Sequence, residues 1–415
     1  MGSPAMSDSS PILAGRWPGV GLARVVGLLE DLVSFDTTSR NSNLELIAYV
    51  RDYLATHGIA STLVYDAKGS KANLYATVGD PSKRGLCLSG HTDVVPADAR
   101  QWRTPPFKLV EQNGRLYGRG TADMKGFLAC VLGAIPTLAE SCSTVPVHLA
   151  FSYDEEVGCV GVRGLLEMLA RAEVRPAACL IGEPTLMTVA TAHKGKRAVR
   201  CTVHGKTGHS AMPELGVNAV TRAAALIGYL DASARELRQA GLRVSAFTPP
   251  YSTVHVGRIQ GGMAVNVVPD LCEFDYEVRS IPGDDIDTIE HGVRTFAQQR
   301  LLPEMQAVEA SSAISFEELS SYPALAGSSK AAARLADWVV GLLSEPKPKI
   351  ALSFGSEAGL FEQILNIPAV VCGPGSIDDA HKPDEFVALD QLVECSTFLA
   401  ALGDRLTRCE TGWEA

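Results

Sequence analysis

The sequence predicts an α/β protein: an open, mostly parallel α/β catalytic domain carrying an inserted α+β domain made of a small antiparallel sheet and two helices. Three observations predict it. In the first half, short apolar runs alternate with stretches of helical spacing, and several runs end on a histidine, an acid or a glycine-rich turn. Past Lys194 the strands alternate apolar and polar residues with period two, as in antiparallel sheets with one wet face. The length, 415 residues, accommodates two domains or one domain with an insert. The resulting boundaries are 1–193 and 317–415 for the catalytic domain and 194–316 for the insert.

The elements follow in order. Val20–Phe35 and Glu45–His57 have helical apolar spacing, the second ending beside Gly58. Ser61–Tyr65 and Asn73–Val78 read as strands, and the run Gly85–Gly90 delivers His91. Gly126–Leu138 is small or apolar on nearly every side and reads as a buried helix. Val145–Ser152 delivers Glu155 and Glu156, and Ala178–Ile181 delivers Glu183. Sites in open α/β sheets form at the carboxyl ends of strands, where these residues would stand. In the insert, Arg197–Val203, Ser252–Ile259 and Leu271–Arg279 alternate. The last places Cys272, Phe274, Tyr276 and Val278 on one face and Glu273, Asp275, Glu277 and Arg279 on the other. Helical stretches lie at about Val217–Gln239 and Ile286–Arg300. The chain then returns to the first domain with a helix near Ser329–Leu343 and a short run, Ala369–Cys372, that leads to His381.

Composition narrows the function. Hydrophobic content of 46% with 20% charged residues fits a soluble globular protein with a real core. A net charge of −10 with no Lys/Arg run excludes an electrostatic nucleic-acid or membrane-surface binder. No stretch approaches the ~18 consecutive apolar residues of a spanning helix. Residues Met1–Arg16 lack the basic-then-apolar order of a signal peptide, and Met1–Met6 reads as a remnant of expression or a frayed tail. The ten cysteines form no C-x-x-C pair, so reduced thiols in a cytoplasm are expected.

Five scattered residues are candidate metal ligands: His91, Asp123, Glu156, Glu183 and His381. Imidazole nitrogen and carboxylate oxygen suit catalytic zinc, and three carboxylates with two histidines can hold two such ions. In Leu88-Ser-Gly-His91-Thr-Asp93 the histidine and aspartate point the same way on an extended segment, so the acid can fix the tautomer of the ring. The turn Gly118-Arg-Gly-Thr-Ala-Asp123-Met-Lys-Gly126 fails both nucleotide fingerprints, and its aspartate can bridge two cations. Asp154-Glu155-Glu156 places three acids together, which repel unless cations or solvent neutralise them. Giving Glu156 to a metal leaves Glu155 free to move a proton between water and a leaving amine. Taken alone, each motif reads equally as a strand-end histidine, an anion-binding turn, a solvated acidic turn or a loop histidine. Together they balance: two divalent cations offset the three carboxylates and a hydroxide, with the histidines neutral.

These motifs, with Gly182-Glu183-Pro184 and Ala380-His381, resemble those of the dinuclear zinc metallopeptidases and deacylases, a family that includes acetylornithine deacetylase, succinyl-diaminopimelate desuccinylase, aminoacylase and glutamate carboxypeptidase. The resemblance runs from about Val20 to the C-terminus. It implies that His91 and Glu183 bind one zinc, Glu156 and His381 the other, and that Asp123 bridges. Glu155 would be the general acid/base and Asp93 would orient His91. It further implies a cis peptide after Asp123. The inserted domain would serve as lid and dimer interface of a homodimer. His209, in Thr207-Gly-His209-Ser-Ala-Met-Pro213, would polarise the scissile carbonyl, and Asn266 and Arg279 would hold a substrate carboxylate.

Within the family, Gly261–Pro269, Phe274–Gly283 and Ser353–Ala358 look most like the acetylornithine deacetylase branch. The implied reaction is hydrolysis of N-acetyl-L-ornithine to ornithine and acetate, in arginine biosynthesis. A desuccinylase, a broad N-acyl amino-acid hydrolase or dipeptidase, and a metal-free binding protein on the same fold are the alternatives. The expected cofactor is two zinc ions, with cobalt or manganese as substitutes. The expected partner is a small N-acyl amino acid, with no nucleic acid and no membrane.

Overall fold

The computed structural model describes residues 21–141 and 145–413. The expectations for the N-terminal tail and for Cys142 lie outside the described residues. The chain forms two compact units. The first comprises residues up to Thr191 together with Gly327–Ile350 and Ser356 onward, and the second comprises Ala192–Ala326 with Ala351–Gly355.

The first unit is built on a sheet whose strands run in the order Ser61–Tyr65, Ala72–Val78, Val147–Ser152, Leu86–His91, Ala178–Ile181 and Ala369–Val371. It continues through Ala190–His193 and Ile350–Leu352, where the chain passes between units. The four central strands, from Val147–Ser152 to Ala369–Val371, are parallel. The flanks are antiparallel, so the sheet is mixed and the expected parallel character belongs to its centre. Leu86–His91, Val147–Ser152 and Ala178–Ile181 are buried at every position. That explains why they read as largely apolar runs without alternation, with Ser89 and His148 buried inside them. Gly126–Ser141, Leu22–Ser34 and Leu389–Thr407 share one core, with Leu29, Leu32, Val131, Ile135, Phe398 and Leu402 buried together. Each such side chain contributes roughly 1.5–3 kcal/mol by leaving water. A small antiparallel sheet of Phe386–Ala388, Arg115–Tyr117 and Val110–Gln112 stands beside it.

The second unit has an antiparallel sheet in the order Thr253–Gly261, Leu271–Ser280, Gly195–His204, Ala313–Tyr322. Helices Ala219–Ala240 and Ile286–Phe296 supply Ala223, Leu226, Leu230 and Val293 to a core with Val199, Cys201, Phe274 and Val278. The expected insert ended at Phe316, which falls inside the strand Ala313–Tyr322. In that edge strand only Ile314 and Phe316 pack against the core, and beyond Phe316 the run Glu317-Glu-Leu-Ser-Ser321 has no apolar alternation to mark its continuation.

Candidate metal centre

His91 ends a buried strand, and its position follows from that strand's register. Its Nδ1 lies 2.9 Å from the carbonyl oxygen of Asp93. A Nδ1–H donated there leaves Nε2 as the free nitrogen, the tautomer a metal ligand needs. The Asp93 carboxylate is farther, at 3.5 Å. It is occupied by the Ser39 hydroxyl at 2.7 Å and by the amides of Glu155 and Glu156 at 3.0 and 3.3 Å. The backbone of Asp93 therefore orients the histidine, while its carboxylate holds the acidic turn.

Asp123 stands in the turn that opens the long core helix. Gly120 there has φ +84°, and the Asp123–Met124 peptide bond is cis. Glu385 accepts the amides of Ala122 and Asp123 at 3.0 and 3.1 Å and receives Arg119 at 2.6 Å. Glu183 follows the strand Ala178–Ile181 by two residues. Gly182 between them has no room for a side chain, because a Cβ would sit 2.1 Å from the Phe127 ring. His381 lies in a loop with φ +59° and is half exposed.

These residues converge. His91 Nε2 is 2.8 Å from Asp123 Oδ1 and 3.9 Å from Glu183 Oε1. His381 Nε2 is 3.2 Å from Asp123 Oδ2 and 3.0 Å from Glu156 Oε2. Two triads result, His91–Asp123–Glu183 and Asp123–Glu156–His381, each with its ligand atoms within 4.8 Å of one another. Asp123 belongs to both, one oxygen toward each histidine.

The electrostatics fit a cationic occupant. Burial pushes Glu155 up to about 8, with Glu156 and Asp123 adding to it. Burial and then Asp123 push Glu156 up to about 7, and burial raises Glu183 well above the carboxylate range. Burial also acts on Asp123, but hydrogen bonds from His381 and His91 outweigh it and hold its carboxyl below the usual range. Hydrogen bonds to Asp123 and Glu156 push His381 up to about 10. Crowded acids that hold protons so tightly are a donor set for divalent cations, which displace those protons. The nitrogen–oxygen composition, with no thiolate, suits a hydrolytic zinc, cobalt or manganese site.

Glu155 belongs to neither triad. Its carboxylate receives the Cys159 thiol at 3.2 Å. Lys71, which sequence reasoning did not single out, and Glu357, met there only within the segment Ser353–Ala358, also shape the site. Lys71 grips Asp154 at 2.6 Å, and Glu357, buried, accepts the hydroxyls of Ser152 and Ser89 at 2.5 and 3.3 Å. Their only signal in sequence was residue type, since each partner lies 83 or more positions away.

His209, Asn266 and Arg279 lie in the second unit. His209 is exposed, and its Nδ1 accepts the amide of Ala211 at 3.0 Å, which directs Nε2–H outward. Asn266 is exposed. Arg279 donates to Glu277 at 2.9 Å and to the Tyr322 hydroxyl at 3.4 Å, the strand-neighbour pairing its face allows.

Comparison with known proteins agrees with this geometry. The family model described as peptidase family M20/M25/M40 matches residues 87–405. The acetylornithine deacetylase of Myxococcus xanthus is 36% identical over 403 residues, covering 95% of this chain and 97% of that protein. That of Pasteurella multocida is 34% identical over 359 residues, covering 86% and 90%. Among solved structures, the family M20 metallo-carboxypeptidase Sso-CP2 of Sulfolobus solfataricus superposes with a TM-score of 0.72 at 19% identity, over 92% of this chain and 99% of that one. A dinuclear metal-binding family M20 peptidase of Bacillus subtilis does so with a TM-score of 0.59 at 17% identity, over 92% and 97%. With five ligand-type side chains gathered into two triads and the family model spanning most of the sequence, the chain belongs to peptidase family M20/M25/M40 and is a hydrolytic enzyme acting on amides.

Proposed function

We propose that the protein hydrolyses N-acetyl-L-ornithine to L-ornithine and acetate, a step of arginine biosynthesis. The observation that carries this reading is the pair of triads sharing Asp123 beside Glu155, which belongs to neither, in a chain 34–36% identical over most of its length to the two acetylornithine deacetylases compared. His91 and Glu183 would hold one divalent ion, Glu156 and His381 the other, and Asp123 both. Zinc is the proposed metal, with cobalt or manganese able to substitute. Such ions supply Lewis acidity toward water and an acyl oxygen.

The chain's own groups do the rest. Glu155, whose carboxyl is pushed up to about 8, takes the proton of the attacking water and hands it to the departing amine nitrogen. Asp93 fixes the backbone on which Glu155 stands. His209, with Nε2–H outward, is suited to donate to the acyl oxygen as it gains charge. Arg279, turning from Glu277, offers a planar fork to the substrate carboxylate, and Asn266 assists.

A homodimer is part of the proposal. Met263, Val265, Met212 and Leu215 are exposed apolar side chains of the second unit, and a second copy would cover them. The nine cysteines among the described residues are free thiols, which supports a reducing, cytoplasmic setting.

The test compares N-acetyl-L-ornithine with N-succinyl-L,L-diaminopimelate on zinc-loaded protein. A preference for the first of roughly 100-fold, about 2.7 kcal/mol of transition-state discrimination, is expected. The reverse preference would make the protein a desuccinylase, and activity on neither would reject both substrates.

A further inference from the structure

We infer that Lys71 is a positioning residue for the general base: through Asp154 it holds the left-handed turn that aims Glu155. The inference rests on the proposed role of Glu155.

Lys71 Nζ donates to both carboxylate oxygens of Asp154, at 2.6 and 2.8 Å, and to the carbonyl oxygen of Ser39. The lysine is itself held in place, because Asp66 Oδ1 accepts the amides of Ser70 and Lys71 at 2.6 and 3.0 Å. The circuit closes around the base. Ser39 gives its hydroxyl to Asp93 Oδ2, and Asp93 Oδ1 accepts the amide of Glu155. On the other side the Glu155 carbonyl accepts the amides of Gly158 and Cys159, both at 2.8 Å. With the Val160 amide on the Asp154 carbonyl at 3.0 Å, five anchors bear on the two residues that precede and carry the reacting carboxylate, and Lys71 is the one that holds the Asp154 side chain.

The clamp opposes two forces. Asp154 has φ +54°, a left-handed conformation that is unfavourable for a non-glycine residue and persists only where the surroundings impose it. Asp154 also lies beside Glu155, Glu156 and Asp93, all acids, in a turn where its side chain is only 17% exposed. Lys71, at 14% exposure, is the cation that offsets this local repulsion. Without it, Asp154 loses its partner, the backbone relaxes toward the extended region, and the next residue, Glu155, swings. Lys71 touches no member of the metal triads; the triads meet this circuit only through Asp93, which accepts the Glu156 amide and whose carbonyl lies 2.9 Å from His91 Nδ1. The expected signature is therefore loss of turnover with metal retained.

The experiment uses the zinc-loaded full chain and the variants Lys71→Met, Lys71→Arg and Asp154→Asn. Three readouts are taken: kcat and KM on N-acetyl-L-ornithine, zinc per chain, and amide hydrogen exchange of the segment 153–159. Lys71→Met should lower kcat by about 100-fold with KM little changed, the scale set by a 1 Å misplacement. It should keep its zinc and exchange faster at 153–159. Lys71→Arg should recover most of the turnover, and Asp154→Asn should resemble Lys71→Met. A Lys71→Met enzyme with wild-type kcat overturns the inference. So does zinc loss in step with activity, or exchange at 153–159 unchanged. Wild-type protein inactive on the substrate would overturn the proposed reaction, and the exchange comparison would then decide the clamp by itself.

Discussion

Glu385 accepts the amide hydrogen of Asp123 at 3.1 Å, and His381, four residues earlier, reaches the carboxylate of that same aspartate at 3.2 Å. One loop therefore holds the shared aspartate by its backbone and by its side chain. Arg119 completes the arrangement, paired to Glu385 at 2.6 Å with both side chains buried. Glu385→Ala should strand the buried guanidinium and cost about 3–5 kcal/mol of stability. Denaturant melts of the two proteins check this, and coincident midpoints would refute it.

Removing Asp123 should differ from removing His381. Asp123→Ala takes a ligand from both triads, whereas His381→Ala takes one from the second only. Elemental analysis after dialysis is expected to find fewer ions in Asp123→Ala than in His381→Ala. Equal metal content in both variants and the parent would dismiss the shared role of Asp123.

Glu155→Gln keeps the shape of the side chain and removes the proton carrier. Turnover should fall by about 100- to 10,000-fold with metal content unchanged. Activity within a few-fold of the parent would assign the proton transfer elsewhere.

Cation binding should release protons, and affinity should fall as pH is lowered. Burial raises Glu156 to about 7, and hydrogen bonding to Asp123 and Glu156 raises His381 to about 10. Below pH 7 both hold protons that a cation must displace. Zinc titration calorimetry at pH 6 and pH 8, in buffers of different ionisation enthalpy, reads both the affinity and the proton count. Binding independent of pH and buffer would contradict this account.

His148 should make the fold acid-sensitive. It is buried in the central sheet, and burial lowers it to about 4. The unfolded chain takes a proton near the ordinary value of about 6.5, and the folded chain does so only near 4. Stability is therefore fully present above pH 6.5 and is lost as pH falls toward 4, by on the order of 3 kcal/mol. His148→Asn should flatten the pH dependence of the unfolding midpoint between those limits. A slope equal to that of the parent would show that other groups govern acid unfolding.

The strands that lead to His91, Glu156 and Glu183 were legible because burial on both faces leaves a largely apolar run that stops where the site begins. The insert was legible through Leu271–Ser280, whose alternation matches its burial from Cys272 to Arg279. The second half of the strand Ala313–Tyr322 was not, because beyond Phe316 its residues Glu317 to Ser321 carry no apolar period. The strands Val110–Gln112 and Arg115–Tyr117 are too short to carry a period. At the site, the five ligand types were visible as chemistry. The roles of Lys71, Ser39 and Glu385 were not, because each acts across a long separation, and Glu385 acts largely on backbone amides.

In the second unit, His193 and Leu325 exchange hydrogen bonds of 3.2 and 3.1 Å. In the first, Gly327 sits so close to the Thr191 carbonyl that it leaves no space for a side chain. The chain therefore departs and returns at neighbouring points, and the host's path is continuous across the gap. None of the five ligand-type residues lies inside the excursion. A segment attached in this way can be lengthened, swapped or remodelled over evolutionary time without rerouting the scaffold that holds the metal residues. The metal residues are then inherited on stretches of the gene apart from the insert, so the insert can diversify while they stay in place.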